Sequence, residues 1–430
     1  MHLGSPPTPL TPNPPNPQPP TPNPQPLRGG DKQVLKDFAK PICQQLLNIA
    51  DKKRANLFAW RGQFSPQLVE AIMSAYCLPN SVILDPFLGS GTVLLEAGNL
   101  SLEAYGFELN PAAWMLSKTY EFINQGSRDY LLKQLRENLE LEFPFRILTS
   151  WETLVLDWEQ KVKQIRDRLD PDAEILLNAL IILLDVGNNP ITNEFIQSKF
   201  FQLAKLIENL PYSEKKIAAH LGDARVLPLP DNQIDFILTS PPYINVFNYH
   251  QNYRQSAECL GWDLLKIAKS EIGNNRANRG NRFYTVVQYC LDMAETLREL
   301  ARVCRSEARV IFVVGWESQV MGVPFYNADI IERLATESGM YKKVLRQKRE
   351  FKNKFGKRIR EDLLNFSNCD IVREGTEQLA REVAAEVLKM GRTFVPLKNR
   401  EYLESAIERV PAISSTPKLD RNCCLYQTIN

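Results

Sequence analysis

No Cys-x-x-Cys pair occurs among the eight cysteines, and the three histidines, His2, His220 and His250, do not cluster with them. Zinc and iron–sulfur sites need such ligands grouped, so this spacing argues against a metal centre. Cys43, Cys77, Cys259, Cys290, Cys304, Cys369 and the adjacent Cys423 and Cys424 read as reduced thiols of an intracellular protein rather than a disulfide framework. Apolar runs stay short of the ~18 residues that a membrane span needs. No cleavable signal pattern opens the chain, and a cytoplasmic protein with no membrane partner is expected. Net charge is scarce too. At +2 over 430 residues, any attraction to a polyanion must come from local clustering.

Charge is absent altogether from residues 1–26, which hold 12 of the 29 prolines. Repeated Pro-Asn-Pro and Gln-Pro-Pro units make neither helix nor sheet ladders, so residues 1–30 read as an extended, disordered leader. A hydrophobic content of 44% is enough for a substantial core, in one large domain with insertions or in two domains.

What is present is concentrated in Ser81–Asn110, SVILDPFLGSGTVLLEAGNLSLEAYGFELN. An apolar run, Val82-Ile83-Leu84, ends on Asp85-Pro86, and a loop with Gly89-Ser90-Gly91-Thr92 leads into a helical VLLEA segment. A second strand, Ala104–Phe107, closes on Glu108. This is a strand, glycine turn, helix and strand with an acid at the far end. Gly89 and Gly91 suit a tight turn against a ligand, and Ser90 or Thr92 can cap the helix. Glu108 lies about 20 residues past the glycines, where such units bond a ribose diol. Glycine turns also serve purely structural ends. Asp85 sharpens the choice, because it disfavours a bare pyrophosphate at the helix start. It suits a ligand that carries an ammonium and a sulfonium, which is S-adenosylmethionine.

A second stretch, Asp235–Tyr243 (DFILTSPPY), runs from a buried strand, Phe236-Ile237-Leu238, into Thr239-Ser240-Pro241-Pro242-Tyr243. The bare tripeptide carries little, since Ser5-Pro6-Pro7 occurs in the leader with no chemistry assigned. The strand in front and the tyrosine behind are what differ. They place Ser240 at the carboxyl end of a sheet strand, where open α/β sheets bind ligands.

DPFLGSGT (with Phe87 inside it) and TSPPY together resemble the S-adenosylmethionine-dependent DNA methyltransferases that modify exocyclic amino groups. The resemblance covers about residues 60–122 and 217–366. It implies a doubly wound, mostly parallel α/β sheet of the class I methyltransferase type, with a helical insertion and an antiparallel edge hairpin. It implies a cofactor site of Phe64, Asp85, Phe87, Gly89, Ser90, Gly91, Thr92 and Glu108, with Asp223 of Gly222-Asp223-Ala224 bonding the adenine amino group. The segment Arg61-Gly62-Gln63-Phe64-Ser65-Pro66 resembles the one whose aromatic residue closes over the methionine end of the cofactor. Ser240, Pro241, Pro242 and Tyr243 become the catalytic loop, with Tyr243 stacking on a base flipped out of duplex DNA. In that family the Ser form goes mainly with the 4-amino group of cytosine, and Asp or Asn forms with the 6-amino group of adenine. A partner restriction endonuclease is part of the same expectation. Alternatives are an adenine enzyme, an RNA guanosine methyltransferase and a non-catalytic DNA-binding relative. No cysteine follows a proline, which argues against carbon-5 cytosine chemistry.

The rest of the chain divides around these motifs. Residues 31–124 and 216–370 read as the two parts of the methyltransferase domain, 125–215 as a helical insertion and 371–430 as a helix and tail. The helix beginning NADIIERLATESG is expected to be capped by Asn327 and stopped by Gly339. Arg276, Arg279 and Arg282 lie among Asn and Gly just after the catalytic loop, a candidate for target recognition. Arg346–Arg360 carries eight basic residues against Glu350 alone, at the tip of an expected hairpin. That excess suits an arm that grips phosphates without reading sequence.

Overall fold

In the computed structural model, residues 37–49, 53–60, 63–145, 157–244, 249–274, 280–352 and 356–420 are described. The Pro-rich leader, Arg276, Arg279, Lys354 and the Cys423–Cys424 pair lie outside them.

Among the described residues there are nine strands: β1 Val82–Asp85, β2 Glu103–Glu108, β3 Ile217–Leu221, β4 Ile234–Thr239, β5 Cys304–Gly315, β6 Ser318–Val320, β7 Val323–Phe325, β8 Tyr341–Lys352 and β9 Arg358–Asn368. Seven of them form one sheet in the order β3-β2-β1-β4-β5-β9-β8, and β6 and β7 make a separate hairpin. The five strands β1 to β5 run parallel, whereas β9 is antiparallel to both β5 and β8. Counted within the large sheet, this is the order 3-2-1-4-5-7-6 with a reversed seventh strand, the class I methyltransferase fold. The chain order turns back between β1 and β4, so the carboxyl ends of these strands open the crevice in which doubly wound sheets bind ligands.

Both faces of the sheet are covered, which is why its strands read as continuous apolar runs. Along β5, Ile311 and Val313 pack into the layer that holds helices Pro66–Tyr76 and Thr92–Asn99. Val310, Phe312 and Val314 pack into the other layer, with helices Tyr284–Val303, Asn327–Glu337 and Thr376–Met390. Between β2 and β3 the chain forms helices Asp129–Glu142, Trp158–Arg166, Pro171–Leu184 and Asn193–Glu208. The most apolar of these, Pro171–Leu184, buries Leu176, Leu177 and the run Leu180–Leu184 in the first layer. Each such side chain contributes about 1.5–3 kcal/mol of burial, so this helix is core and not a DNA-facing surface. Among the described residues, no helix is long and apolar enough to cross a membrane.

Among the described residues of 37–58 there is the short helix Gln44–Asn48. One local expectation is corrected. Asn327 is not a cap. Its Oδ1 accepts from the Ile244 backbone N–H at 3.1 Å and its Nδ2 donates to the Gly315 carbonyl at 3.1 Å. A wholly buried amide is better used tying two chain segments together than capping a helix at the surface.

Candidate functional site

Four adjacent strands deliver one residue each to the crevice. Asp85 ends β1, Glu108 ends β2, Asp223 follows β3 and Ser240 follows β4. All four line a single cavity with Phe64, Phe87, Gly89, Thr92, Pro241, Pro242 and Tyr243. Measured with its open mouth, the cavity is about 1170 Å³.

The turn after β1 is shaped by its glycines. Gly91 has φ +90°, and a Cβ there would fall 2.5 Å from the Tyr120 ring. Gly91 therefore leads into helix Thr92–Asn99 without a side-chain cap, and neither Ser90 nor Gly91 lines the cavity. The Ser90 hydroxyl instead donates to Gln63 Oε1 at 2.7 Å, which fixes the Gln63–Phe64 segment over the turn.

Asp85 accepts from the Thr239 hydroxyl at 2.6 Å and from the Phe87 N–H at 3.1 Å, both on Oδ1. Glu108 accepts from the Gly89 and Asn110 N–H groups at 2.7 and 2.8 Å. These bonds aim both carboxylates while leaving lone pairs toward the cavity. Burial pushes each carboxyl up to about 7, against the hydrogen bonds that hold it down. Two acids kept near neutrality by desolvation form a place that gains from a cation.

Asp223 is held by its neighbours. Its Oδ1 accepts from Arg225 N and Nε at 3.0 and 2.9 Å, and its Oδ2 from Arg225 Nη2 and the Leu419 N–H at 2.6 and 3.1 Å. Four donors thus hold this carboxylate in place on the cavity wall. Arg225 is itself wholly buried and also reaches Asp292 at 3.1 Å and the Thr416 hydroxyl at 2.6 Å. The C-terminal segment around Thr416 is thereby tied to the floor of the cavity.

Sequence reasoning missed the wall facing this floor. Tyr249, His250, Ile267, Ser270, Glu271 and Ile272 line the cavity, and the His250 N–H donates to Glu271 Oε1 at 3.0 Å. Part of the segment assigned to target recognition thus covers the cavity. Its arginines 276 and 279 lie outside the described residues, and Arg282 is exposed at the start of helix Tyr284–Val303. The only advance signal was the run of aromatic and apolar residues behind Tyr243.

The β8–β9 hairpin forms as expected, but Arg346, Arg349, Arg358 and Arg360 are paired with acids, the last two at the surface. Arg346 pairs with Asp329 at 2.6 Å, Glu332 at 3.2 Å and Asp362 at 3.0 Å. Arg349 pairs with Glu361, and Arg358 and Arg360 share Glu350. Lys348 lies 4.9 Å from the Trp316 ring centroid. The phosphate-gripping arm is therefore corrected to the exposed tip, where Lys352 and Lys357 stand.

Residues 26–119 match the DNA methylase family model of the N6/N4 type. The chain is 22% identical over 287 residues to the type II methyltransferase M.BsoBI of Geobacillus stearothermophilus, covering 52% of this chain and 56% of that protein. It is 26% identical over 98 residues to the type II methyltransferase M.MjaII of Methanocaldococcus jannaschii, covering 21% and 18%. The chain thus spans about half the length of the first relative and less of the second. A solved S-adenosylmethionine-dependent methyltransferase from Methanosarcina mazei aligns at 11% identity and TM-score 0.35, covering 69% of this chain and 97% of that one. With the strand order and the acids at the strand ends, these matches lead to one conclusion: residues 26–119 are similar to the N6/N4 DNA methylase family, and the chain as a whole is similar over about half its length to a type II methyltransferase.

Proposed function

We propose that this protein transfers a methyl group from S-adenosylmethionine to the exocyclic 4-amino group of cytosine in duplex DNA. The observation that carries the reading is the position of Ser240 beside Asp85, at the junction of the large cavity with a smaller pocket. The residues fit the cofactor: Asp85 and Glu108 offer spare lone pairs to its cationic groups and ribose, and Phe64 and Phe87 flank them. When bound, the cofactor supplies an electrophilic methyl group on a sulfonium.

The chain's own residues supply the rest. An exocyclic amine is a poor nucleophile because its lone pair is delocalised into the ring. Ser240 Oγ and the Pro241 carbonyl accept its two hydrogens and localise that lone pair. Pro241 and Pro242 have no N–H, which keeps the loop stiff and its carbonyls free to point at substrate. Asn327 anchors the following residue, Ile244, to β5, so the loop is fixed at both ends. Preorganised acceptors of this kind need no covalent enzyme intermediate. The target base leaves the duplex at a cost of about a few kcal/mol. The type II names of both relatives support a paired restriction endonuclease as the physiological partner.

The deciding experiment supplies unmethylated plasmid DNA and cofactor labelled in its methyl group, then digests the DNA to nucleosides. Labelled 4-amino-methylated cytosine is expected. Label in 6-amino-methylated adenine would replace the base, and label found only in RNA would replace the substrate class.

Cofactor binding should depend on pH. The folded protein holds Asp85 and Glu108 up to about 7, above their values in the unfolded chain, so it binds protons that the unfolded chain has released. These two groups therefore favour folding at acid pH, and that contribution is lost as pH rises through 7. A cationic ligand acts in the opposite direction, since it binds the ionised acids and expels protons. Affinity should fall about tenfold for each of the two acids from pH 8 to pH 6, about a hundredfold in all. Calorimetry in two buffers of different ionisation enthalpy should record the released protons, and Asp85→Asn should remove about half of the dependence. A flat profile would remove Asp85 from the cofactor site.

The corrected hairpin gives a smaller effect. Removing one phosphate-neutralising cation flattens the plot of log affinity against log salt by about 0.9, so Lys352→Gln with Lys357→Gln should flatten it by about 2. An unchanged slope would make the hairpin tip an ordinary solvated edge.

A further inference from the structure

The smaller pocket meets the large cavity at Gln63, Phe64 and Ser240, and is otherwise lined by Ile49, Ser65, Arg349, Phe351 and Glu361. The Arg349 side chain is only 6% exposed, and its nearest Glu361 contact is 3.3 Å. Its guanidinium lies 4.4 Å from the Phe351 ring centroid. The buried Arg349 Nε has no hydrogen-bond partner, and neither has the buried Ser65 Oγ on the same wall. An isolated orphan atom is a packing defect. Two in one pocket, one of them on a guanidinium, point to a polar ligand that completes them.

We propose that this pocket receives the target base and that Arg349 is the specificity-determining residue that reads it as cytosine. The inference rests on the reading of the chain as a base-amino methyltransferase and adds the residue that chooses the base. With the exocyclic amine held at Ser240, the next atom along the base edge is a ring acceptor in both candidates, N3 of cytosine or N1 of adenine. The position after it separates them. Cytosine presents O2, an acceptor, whereas adenine presents an apolar C2–H. A guanidinium offers its N–H groups as a rigid fork. Cytosine satisfies two of them, while adenine satisfies one and leaves the other desolvated and unpaired.

Glu361 supplies the counter-charge that lets Arg349 remain buried, and Phe351 holds the guanidinium plane. Both come from the β8–β9 hairpin, which lies outside the two sequence motifs. Base choice and methyl transfer are thus carried by different parts of the chain, meeting at Ser240. The discrimination expected for one unpaired buried donor is on the order of tenfold to a hundredfold.

The test uses the full chain, unmethylated plasmid DNA and methyl-labelled S-adenosylmethionine, with nucleoside digestion of the product. Arg349→Met should lower kcat/KM for cytosine about tenfold to a hundredfold and raise the share of methylated adenine. Cofactor Kd, measured by calorimetry, should stay within about twofold, which a collapse of the pocket would not allow. Because Arg349→Met leaves Glu361 unpaired, the double variant Arg349→Met/Glu361→Gln should show the same loss. Arg349→Lys keeps the charge without the fork, and should recover part of the rate but not the base preference. A folded double variant with unchanged kcat/KM and product ratio overturns the proposal. Should neither Met variant fold, Arg349→Lys decides alone: an unchanged product ratio and kcat/KM overturn it. Wild-type protein that labels only adenine, or no DNA, overturns the base-amino cytosine reading and this inference together, and does so before any substitution is made.

Discussion

Arg225→Leu should destabilise the protein by about 3–5 kcal/mol, the cost of breaking a buried ion pair from one side. Arg225 has no exposed side-chain surface, and it stands between Asp223 and Asp292, themselves 8% and 0% exposed. Leucine fills part of the volume but leaves two carboxylates in an apolar interior with fewer partners. Asp292 would retain the Gly273 and Thr416 N–H groups at 2.8 and 2.9 Å, and burial already raises its pKa with Arg225 present. The sign of the pH dependence follows. In the variant Asp292 loses the guanidinium that holds its raised pKa down, so the folded state takes up a proton there and gains stability as pH falls toward 4. The gap to wild type should therefore narrow on acidification, measured by urea unfolding at pH 7.5 and pH 5. A gap that stays constant, or a loss below about 1 kcal/mol at pH 7.5, would mean that the network is bridged by other groups. Cofactor affinity should fall in the same variant, because Arg225 and the Thr416 segment brace the cavity floor beneath Asp223.

The parts of the site that were legible in the sequence are those in which one short segment carries both the turn and the chemistry. Asp85, Gly89 and Glu108 sit within one strand–turn–helix–strand unit, and local geometry alone brings them together. Ser240 was legible for the same reason, as the residue after an apolar strand. What the sequence hid depends on partners far along the chain. Arg225 takes part of its coordination from Thr416, and its pairing with the acid two residues before it was hidden because an arginine in a loop looks like surface charge. The hairpin looked like a basic arm because Asp329 and Glu332 belong to a different helix, and Glu361 and Asp362 fall just beyond the basic run. Ser90 and Asn327 had the right residue types for caps, but each found a tertiary partner instead. A hydrogen-bonding side chain goes to the partner that would otherwise be buried unsatisfied, and sequence spacing does not reveal which partner that is.

Ser240→Ala should lower kcat about a hundredfold to a thousandfold, the scale set by removing one preorganised dipole from a reacting centre. The substitution deletes one oxygen at the carboxyl end of β4 and leaves Thr239, Pro241 and their backbone in place. Asp85 keeps its bond from the Thr239 hydroxyl at 2.6 Å, so the cofactor side should be spared, with Kd changed by no more than about twofold. The Ser240 side chain is also hydrogen-bonded to Tyr243. A Ser240 hydroxyl that donates to the Tyr243 oxygen keeps its lone pairs for the substrate amine, which gives the tyrosine a positioning role. Tyr243→Phe should then cost less than Ser240→Ala and act in the same direction. Its ring would remain against Gly315, where a Cβ would fall 2.7 Å from it. Single-turnover methyl transfer with cofactor and DNA both saturating isolates the chemical step from binding and release. If Ser240→Ala turns over at the wild-type rate under those conditions, the Pro241 carbonyl alone activates the amine and Ser240 serves only to shape the loop. If the rate falls together with cofactor affinity, Ser240 belongs to the cofactor site and the division between the two cavities is wrong.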